Sequence, residues 1–225
     1  MERRSIALDG PAGAGKSTLA RITAKRFGLI YVDTGALYRS VGLYVLRNKV
    51  SSKDEINIVK LLPDIQLEMK YGSDGVQRMI LCGEDVTEEI RTPEASTYAS
   101  DVSAMPPVRD FLLSTQREMA EKYDVIMDGR DIGTVVLPEA GLKVYLTADP
   151  EIRAKRRHLE LLERNVSATL EEVRREMTIR DKNDSEREAA PLKAAEDAVI
   201  LDTTCLDLDQ SINALCELIS GRFSQ

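Results

Sequence analysis

Gly10-Pro11-Ala12-Gly13-Ala14-Gly15-Lys16-Ser17 fits the pattern G-x-x-x-x-G-K-[ST]. Residues of these types at this spacing can hold the phosphates of a nucleoside triphosphate. Glycines let backbone amides turn toward an anion, and a helix N-terminus adds unpaired N–H groups and the positive end of its dipole. Lys16 offers a mobile charge to the β- and γ-phosphates, and the Ser17 hydroxyl can ligate Mg²⁺. Gly10, Pro11, Ala12, Gly13, Ala14, Gly15, Lys16, Ser17 and Thr18 are therefore the expected nucleotide-binding residues.

Other polar groups could join them. Val125-Ile126-Met127-Asp128 is an apolar run ending in an aspartate that can hold Mg²⁺ directly or through water. Its continuation, Gly129-Arg130-Asp131, offers a guanidinium fork for phosphate and a carboxylate that can accept from an exocyclic amine. Arg130 and Asp131 could equally form a structural ion pair, with each other or with a neighbour. Asp33-Thr34-Gly35-Ala36-Leu37-Tyr38-Arg39 gathers a hydroxyl, a phenol and a guanidinium at a predicted helix start. That suits a second, phosphorylated ligand, or simply a helix cap with Tyr38 in the core.

Arg153, Lys155, Arg156, Arg157 and Arg164 fall on one predicted helix, with Arg153 and Arg157 sharing a face. Arg180, Asp184 and Arg187 follow the offsets of a helical stripe. These charges are either solvated faces or an arginine-bearing lid around a loop at 165–169.

The elements that must position these groups read as alternating strand and helix. Strands are predicted near 4–9, 29–32, 124–128, 142–147 and 198–202. Helices are predicted near 16–27, 35–47, 93–104, 107–122, 149–163, 169–184 and 208–222. Such alternation implies an α/β fold with a parallel sheet of about five strands covered on both faces, with ligands beyond the strands' carboxyl ends. From Asp64 to Val86 the pattern changes. Ile65, Leu67, Met69 and Tyr71 alternate with mostly polar residues, Gly72-Ser73-Asp74-Gly75 reads as a turn, Val76 to Leu81 as a return strand, and Gly83-Glu84-Asp85 as a second turn. This small antiparallel insert could cover a site or only decorate the core.

With 225 residues the chain can hold one α/β domain with insertions. A net charge of −7, no tryptophan and 4% aromatic residues argue against a general nucleic-acid surface. Cys82, Cys205 and Cys216 show no C-x-x-C spacing, and His158 is the only histidine, which argues against a zinc site or a histidine-served triad. No apolar run reaches membrane-spanning length, and Met1-Glu2-Arg3-Arg4 leads straight into the first strand without a secretory signal. A cytoplasmic protein is expected.

Taken together, the phosphate loop, the Asp33–Arg39 stretch, the hairpin insert, Glu89-Ile90-Arg91-Thr92, Asp128-Gly129-Arg130-Asp131-Ile132-Gly133-Thr134 and Arg180-Asp181-Lys182-Asn183-Asp184 resemble the bacterial cytidylate kinases over nearly the whole chain. The resemblance implies a monomeric, Mg²⁺-dependent kinase domain that passes the ATP γ-phosphate to CMP or dCMP, with no nucleic-acid or membrane partner. It implies ATP on Gly10 to Thr18, a monophosphate-binding insert at 62–97 and a helical lid at 153–187. Arg39 and Arg130 are implied as clamps on the monophosphate, and Ser100, Arg109 and Asp131 as readers of the cytosine edge. Thr34, Tyr38, Arg180 and Asp184 are implied around sugar and phosphate, with Arg153, Arg157 and Arg187 as further lid and phosphate ligands. Lys16, Arg130, Arg180, Arg157 and Arg153 would then stabilise the transferring group, with Ser17 and Asp128 toward the metal. The resemblance departs at Thr34 and Asn183, where relatives can carry serine and arginine. Rivals are another phosphate-loop kinase and a GTP-dependent switch; the switch needs an N-K-x-D string, which Asp181-Lys182-Asn183-Asp184 has in the wrong order.

Overall fold

Ile6, Ala7 and Leu8 are all fully buried, so the strand they form is covered on both faces. The computed structural model describes residues 3–72, 76–163 and 165–223. The chain begins β1 (Ser5–Asp9), α1 (Lys16–Phe27), β2 (Ile30–Asp33), α2 (Thr34–Arg47) and α3 (Glu55–Leu61). Next come β3 (Leu67–Tyr71), β4 (Gln77–Leu81), β5 (Glu84–Asp85), α4 (Pro93–Val102) and α5 (Pro106–Lys122). It ends with β6 (Val125–Gly129), β7 (Leu142–Thr147), α6 (Pro150–Glu163), α7 (Leu170–Glu186), β8 (Val199–Asp202) and α8 (Leu208–Phe223). Internal contacts separate two compact units, Met1–Tyr31 with Ala120–Gln225, and Val32–Met119.

The first unit is organised by a five-stranded sheet in the order β2-β6-β1-β7-β8. β1 pairs in parallel with β6 on one side and β7 on the other, with Asp9 level with Gly129 and Tyr145. Leu19, Ala20 and Ala24 of α1 join Ile212, Leu215 and Ile219 of α8 over Ile6, Leu8, Ile126, Val144 and Leu146. Left-handed Gly28 ends α1 by donating its N–H to the Ala24 carbonyl. A separate apolar cluster of Ala154, Leu161, Val173 and Met177 joins α6 to α7. A capping box between Thr169 and Glu172 starts α7.

The second unit has its own core, which includes Leu37, Val41, Ile58, Met79, Leu81, Ile90, Val102, Val108 and Leu112. Its antiparallel sheet runs β3-β4-β5, with Met69 opposite Met79 and Leu67 opposite Leu81. Ser73, Asp74 and Gly75 of the expected hairpin turn lie outside the described residues.

The structure differs from the expected pattern in three places. Glu84 and Asp85 form a strand against β4, because the reversal is made earlier, by Cys82 and Gly83 at φ 49° and 87°. α3 had no place in the sequence pattern; it buries Ile58, and the Asp54 carboxylate caps it by accepting from the Asn57 N–H. Ile132–Val136 is a short π-type turn. Among the described residues no helix is long and apolar enough to cross a membrane.

Candidate active site

The phosphate loop leaves β1 at Asp9 and enters α1 at Lys16, with Gly15 in the left-handed region as the cap. Two glycines are dictated by close packing. A Cβ on Gly10 would stand 2.0 Å from the Leu146 carbonyl oxygen of β7. A Cβ on Gly13, whose φ is +68°, would stand 2.7 Å from Met177 Cε and 2.9 Å from the Arg153 carbonyl oxygen. Lys16 is buried and its ammonium donates back to the Pro11 carbonyl at 2.8 Å. Burial, then the nearby Arg130 guanidinium, pulls its pKa down to about 7, against the pull of Asp128.

Ser17 lies in the first turn of α1, beside the end of β6. Its hydroxyl donates to Asp128 Oδ2 at 2.7 Å, and the Tyr31 hydroxyl donates to Oδ1 at 3.1 Å. A hydroxyl and a carboxylate in contact at the mouth of a phosphate loop are hard oxygen donors of the type Mg²⁺ takes. No group of three or more His, Cys, Asp or Glu among the described residues forms an all-protein metal cage.

The residues after β6 form a charged cluster with α7. Arg130 Nε donates to Asp184 Oδ2 at 2.7 Å, and Nη1 to the Gly129 carbonyl at 3.2 Å. Burial works against the Asp184 carboxylate, but Arg130 and Arg180 outweigh it and hold its pKa below the usual carboxylate range. Asp131 and Arg187 form a buried ion pair at 3.3 Å. Beneath them, Asp9 accepts the N–H groups of Ile132 and Gly133 at 2.8 and 2.7 Å. Burial pushes Asp9 up to about 6, with those two hydrogen bonds opposing the shift.

Arg153 turns inward from α6. It donates to the Ala148 carbonyl at 3.0 Å, to the Ala12 carbonyl at 2.9 Å and to Asp181 Oδ2 at 2.5 Å. The other Asp181 oxygen accepts the Ala12 N–H at 3.1 Å. Arg157 instead pairs with Glu160 on its own helix at 2.7 Å, Arg156 donates to Thr203, and Lys155 is exposed. Arg164 lies outside the described residues. His158 meets the Ala168 carbonyl at 2.9 Å through Nε2.

In the second unit, the Asp33 carboxylate caps α2 by accepting from the Ala36 N–H at 2.9 Å and pairs with Arg39 at 2.7 Å. Gln77 Oε1 accepts the Asp33 N–H at 2.9 Å. Thr34 is buried, and Tyr38 packs partly buried against the core with the Arg109 guanidinium 5.8 Å from its ring centre. Arg109 also donates to the Ser103 carbonyl at 3.2 Å, and the Ser100 carbonyl accepts from the Ser103 hydroxyl at 2.9 Å.

The structure thus brings Lys16, Ser17, Asp128, Arg130, Arg180 and Asp184 together, and separately Tyr38 with Arg109. Sequence reasoning missed Asp9, Tyr31, Gln77 and Asp181. Asp9 had one legible signal, a charged residue closing an otherwise apolar strand directly before the loop; Asp181 stood inside the Arg180–Asp184 stretch without a role of its own, and Tyr31 and Gln77 had no signal.

A family model described as cytidylate kinase matches residues 6–221. A cytidylate kinase of Caldicellulosiruptor bescii is 50% identical over 218 residues, covering 97% of this chain and 96% of that protein. A cytidylate kinase of Bacillus cereus is 43% identical over 224 residues, covering 100% of this chain and 99% of that one. A crystal structure of an uncharacterized protein from Eubacterium ventriosum matches with a TM-score of 0.53 at 12% identity, covering 98% of this chain and all of that one, a likeness of fold alone. With its phosphate loop, its acidic strand end and nearly its whole length matched, the chain belongs to the cytidylate kinase family.

Proposed function

We propose that this chain transfers the γ-phosphoryl group of ATP to the phosphate of CMP or dCMP, acting as a cytoplasmic monomer on small-molecule substrates. The observation that carries the proposal is Lys16, Ser17 and Asp128 standing beside the Arg130–Asp184–Arg180 cluster, in a chain of this family.

An oxygen of the CMP phosphate attacks the γ-phosphorus while the bond from that phosphorus to the β–γ bridging oxygen breaks, leaving ADP and CDP. The attacking oxygen is already anionic at neutral pH, so no strong general base is required. The single histidine, on α6, is engaged with the Ala168 carbonyl just before α7. Charge spread over the transferring group needs fixed positive partners. Lys16 and Arg130 supply them from the loop and the strand end, and Arg180 from α7. Bound Mg²⁺, held through Ser17 and Asp128, would neutralise charge on the β- and γ-phosphates.

Asp131 and Arg187, with Asp184, are proposed toward the monophosphate. Thr34, Tyr38, Arg39, Ser100 and Arg109 are proposed as its ligands on the family resemblance. Arg157 is proposed as a further arginine that contacts the phosphates.

Coupled measurement of ADP release from MgATP, run with each nucleoside monophosphate, tests the assignment. Strong turnover with CMP and dCMP and little with UMP, AMP or GMP is expected. No stimulation by any of them would overturn the acceptor assignment.

A further inference from the structure

Ala12 sits inside the phosphate loop, yet both its backbone groups are taken by side chains from α6 and α7. Its N–H donates to Asp181 Oδ1 at 3.1 Å, and its carbonyl accepts from Arg153 at 2.9 Å. Asp181 and Arg153 are joined at 2.5 Å, which closes a ring of three contacts. Arg153 is almost fully buried, at 8% side-chain exposure, and is anchored a third time on the Ala148 carbonyl. The next residue, Gly13, packs its Cα face on Met177 and on the Arg153 backbone too tightly for any side chain. The loop is therefore shaped from outside as well as by its own glycines.

A surface ion pair would contribute little, but this pair is partly to fully buried and bonded at both ends to backbone. We propose that Asp181 is a positioning residue for the donor nucleotide. With Arg153 it fixes Ala12, and so sets the direction in which the amides of Gly13 to Ser17 point. Asp181 does not touch the phosphates; it acts through the loop. The same carboxylate could instead compete with a phosphate for the Ala12 N–H, and the two roles move donor affinity in opposite directions.

The proposal takes the loop to hold ATP, as above, and is tested on the full chain. MgADP affinity is measured by calorimetry, and KM for ATP and for CMP is measured separately. Asp181→Ala is expected to weaken MgADP and raise the KM for ATP by about tenfold, the scale of one charge-assisted hydrogen bond. The KM for CMP should change less than about twofold. Asp181→Asn keeps an oxygen for one partner and should recover part of the loss. Arg153→Met should produce the same donor-selective change, and the double variant should add little to either single one.

A fall in melting temperature with donor constants unchanged would make the contact merely structural and overturn the proposal. Tighter MgADP binding in Asp181→Ala would overturn it in favour of competition, and equal rises in both KM values would overturn it as well. If Asp181→Ala does not fold, Asp181→Asn and Arg153→Met decide by the same readouts. Failure of the wild type to use CMP while MgADP still binds would remove the acceptor assignment and leave the Asp181 test intact.

Discussion

The Ser17 hydroxyl donates to Asp128 Oδ2 across 2.7 Å, joining the first turn of α1 to the end of β6. A hydroxyl that donates to a carboxylate keeps its lone pairs for a cation, and under the proposed function the pair shares one. Ser17→Ala should raise the Mg²⁺ concentration for half-maximal turnover by about tenfold, at saturating nucleotide. An unchanged Mg²⁺ titration would remove Ser17 from the metal.

Lys16 is held against its own loop and bonded to the Pro11 carbonyl. Lys16→Ala should lower kcat by roughly 100- to 1,000-fold, the scale of losing one aimed transition-state donor. Its melting temperature should stay close to that of the wild type, because burying an ammonium whose pKa has fallen to about 7 is itself unfavourable. Turnover near the wild-type rate would refute the role given to Lys16.

That depressed pKa also sets a pH dependence. Below about pH 7 the folded protein carries a buried charged lysine at a cost; as pH rises from there toward the unfolded value of 10.5, stability from this residue increases. A bound polyphosphate favours the ammonium form, so nucleotide binding near pH 8 should take up protons and weaken as pH rises. Calorimetry of MgADP binding in buffers of different ionisation heat measures that uptake. Asp9, raised to about 6 from 3.8, acts in the opposite sense: its contribution to stability is fully present below about pH 4 and is lost as pH climbs through 6.

Asp184 is buried against Arg130, with Arg180 nearby. Asp184→Ala leaves a buried guanidinium without its closest carboxylate and should cost about 3 kcal/mol in denaturant unfolding. Replacing both partners with apolar residues should cost less than that. A double variant as unstable as the sum of the single ones would show that the two groups do not act as a pair.

Asp131 pairs with Arg187 within the first unit. Under the proposed function, Asp131→Ala should weaken CMP by more than it weakens ATP, read as the ratio of the two KM values. Equal weakening would take Asp131 out of base recognition.

The central strands were legible because Ile6 to Leu8 and Val125 to Met127 are continuous apolar runs, the mark of a sheet covered on both faces. α1 was legible from Leu19 and Thr23 at helical spacing behind a glycine-rich turn. The turn at Ile132–Val136 was not, since its amides are held by Asp9, more than a hundred residues away in sequence. Charge spacing likewise marked Arg153 and Arg157 as one face, but only packing decides that Arg153 turns inward while Arg157 pairs with Glu160. Asp181 was visible only inside the Arg180–Asp184 stretch, as part of the family resemblance and of a failed guanine signature; its contact with Ala12 depends on how α7 packs on the loop.

β1 takes its two neighbours from β6 and β7, so the strand that launches the phosphate loop is made first and has neither partner until more than a hundred further residues have been made. During synthesis, Val32–Met119 emerges as an unbroken stretch with its own core before Val125 to Gly129 is available. In pulse-labelled refolding of the full chain, amides of Met79 and Leu81 should gain protection before those of Ile6 to Leu8. The nucleotide loop would then acquire a fixed shape only once β6 and β7 flank its strand, and bound nucleotide would act on folding after that step.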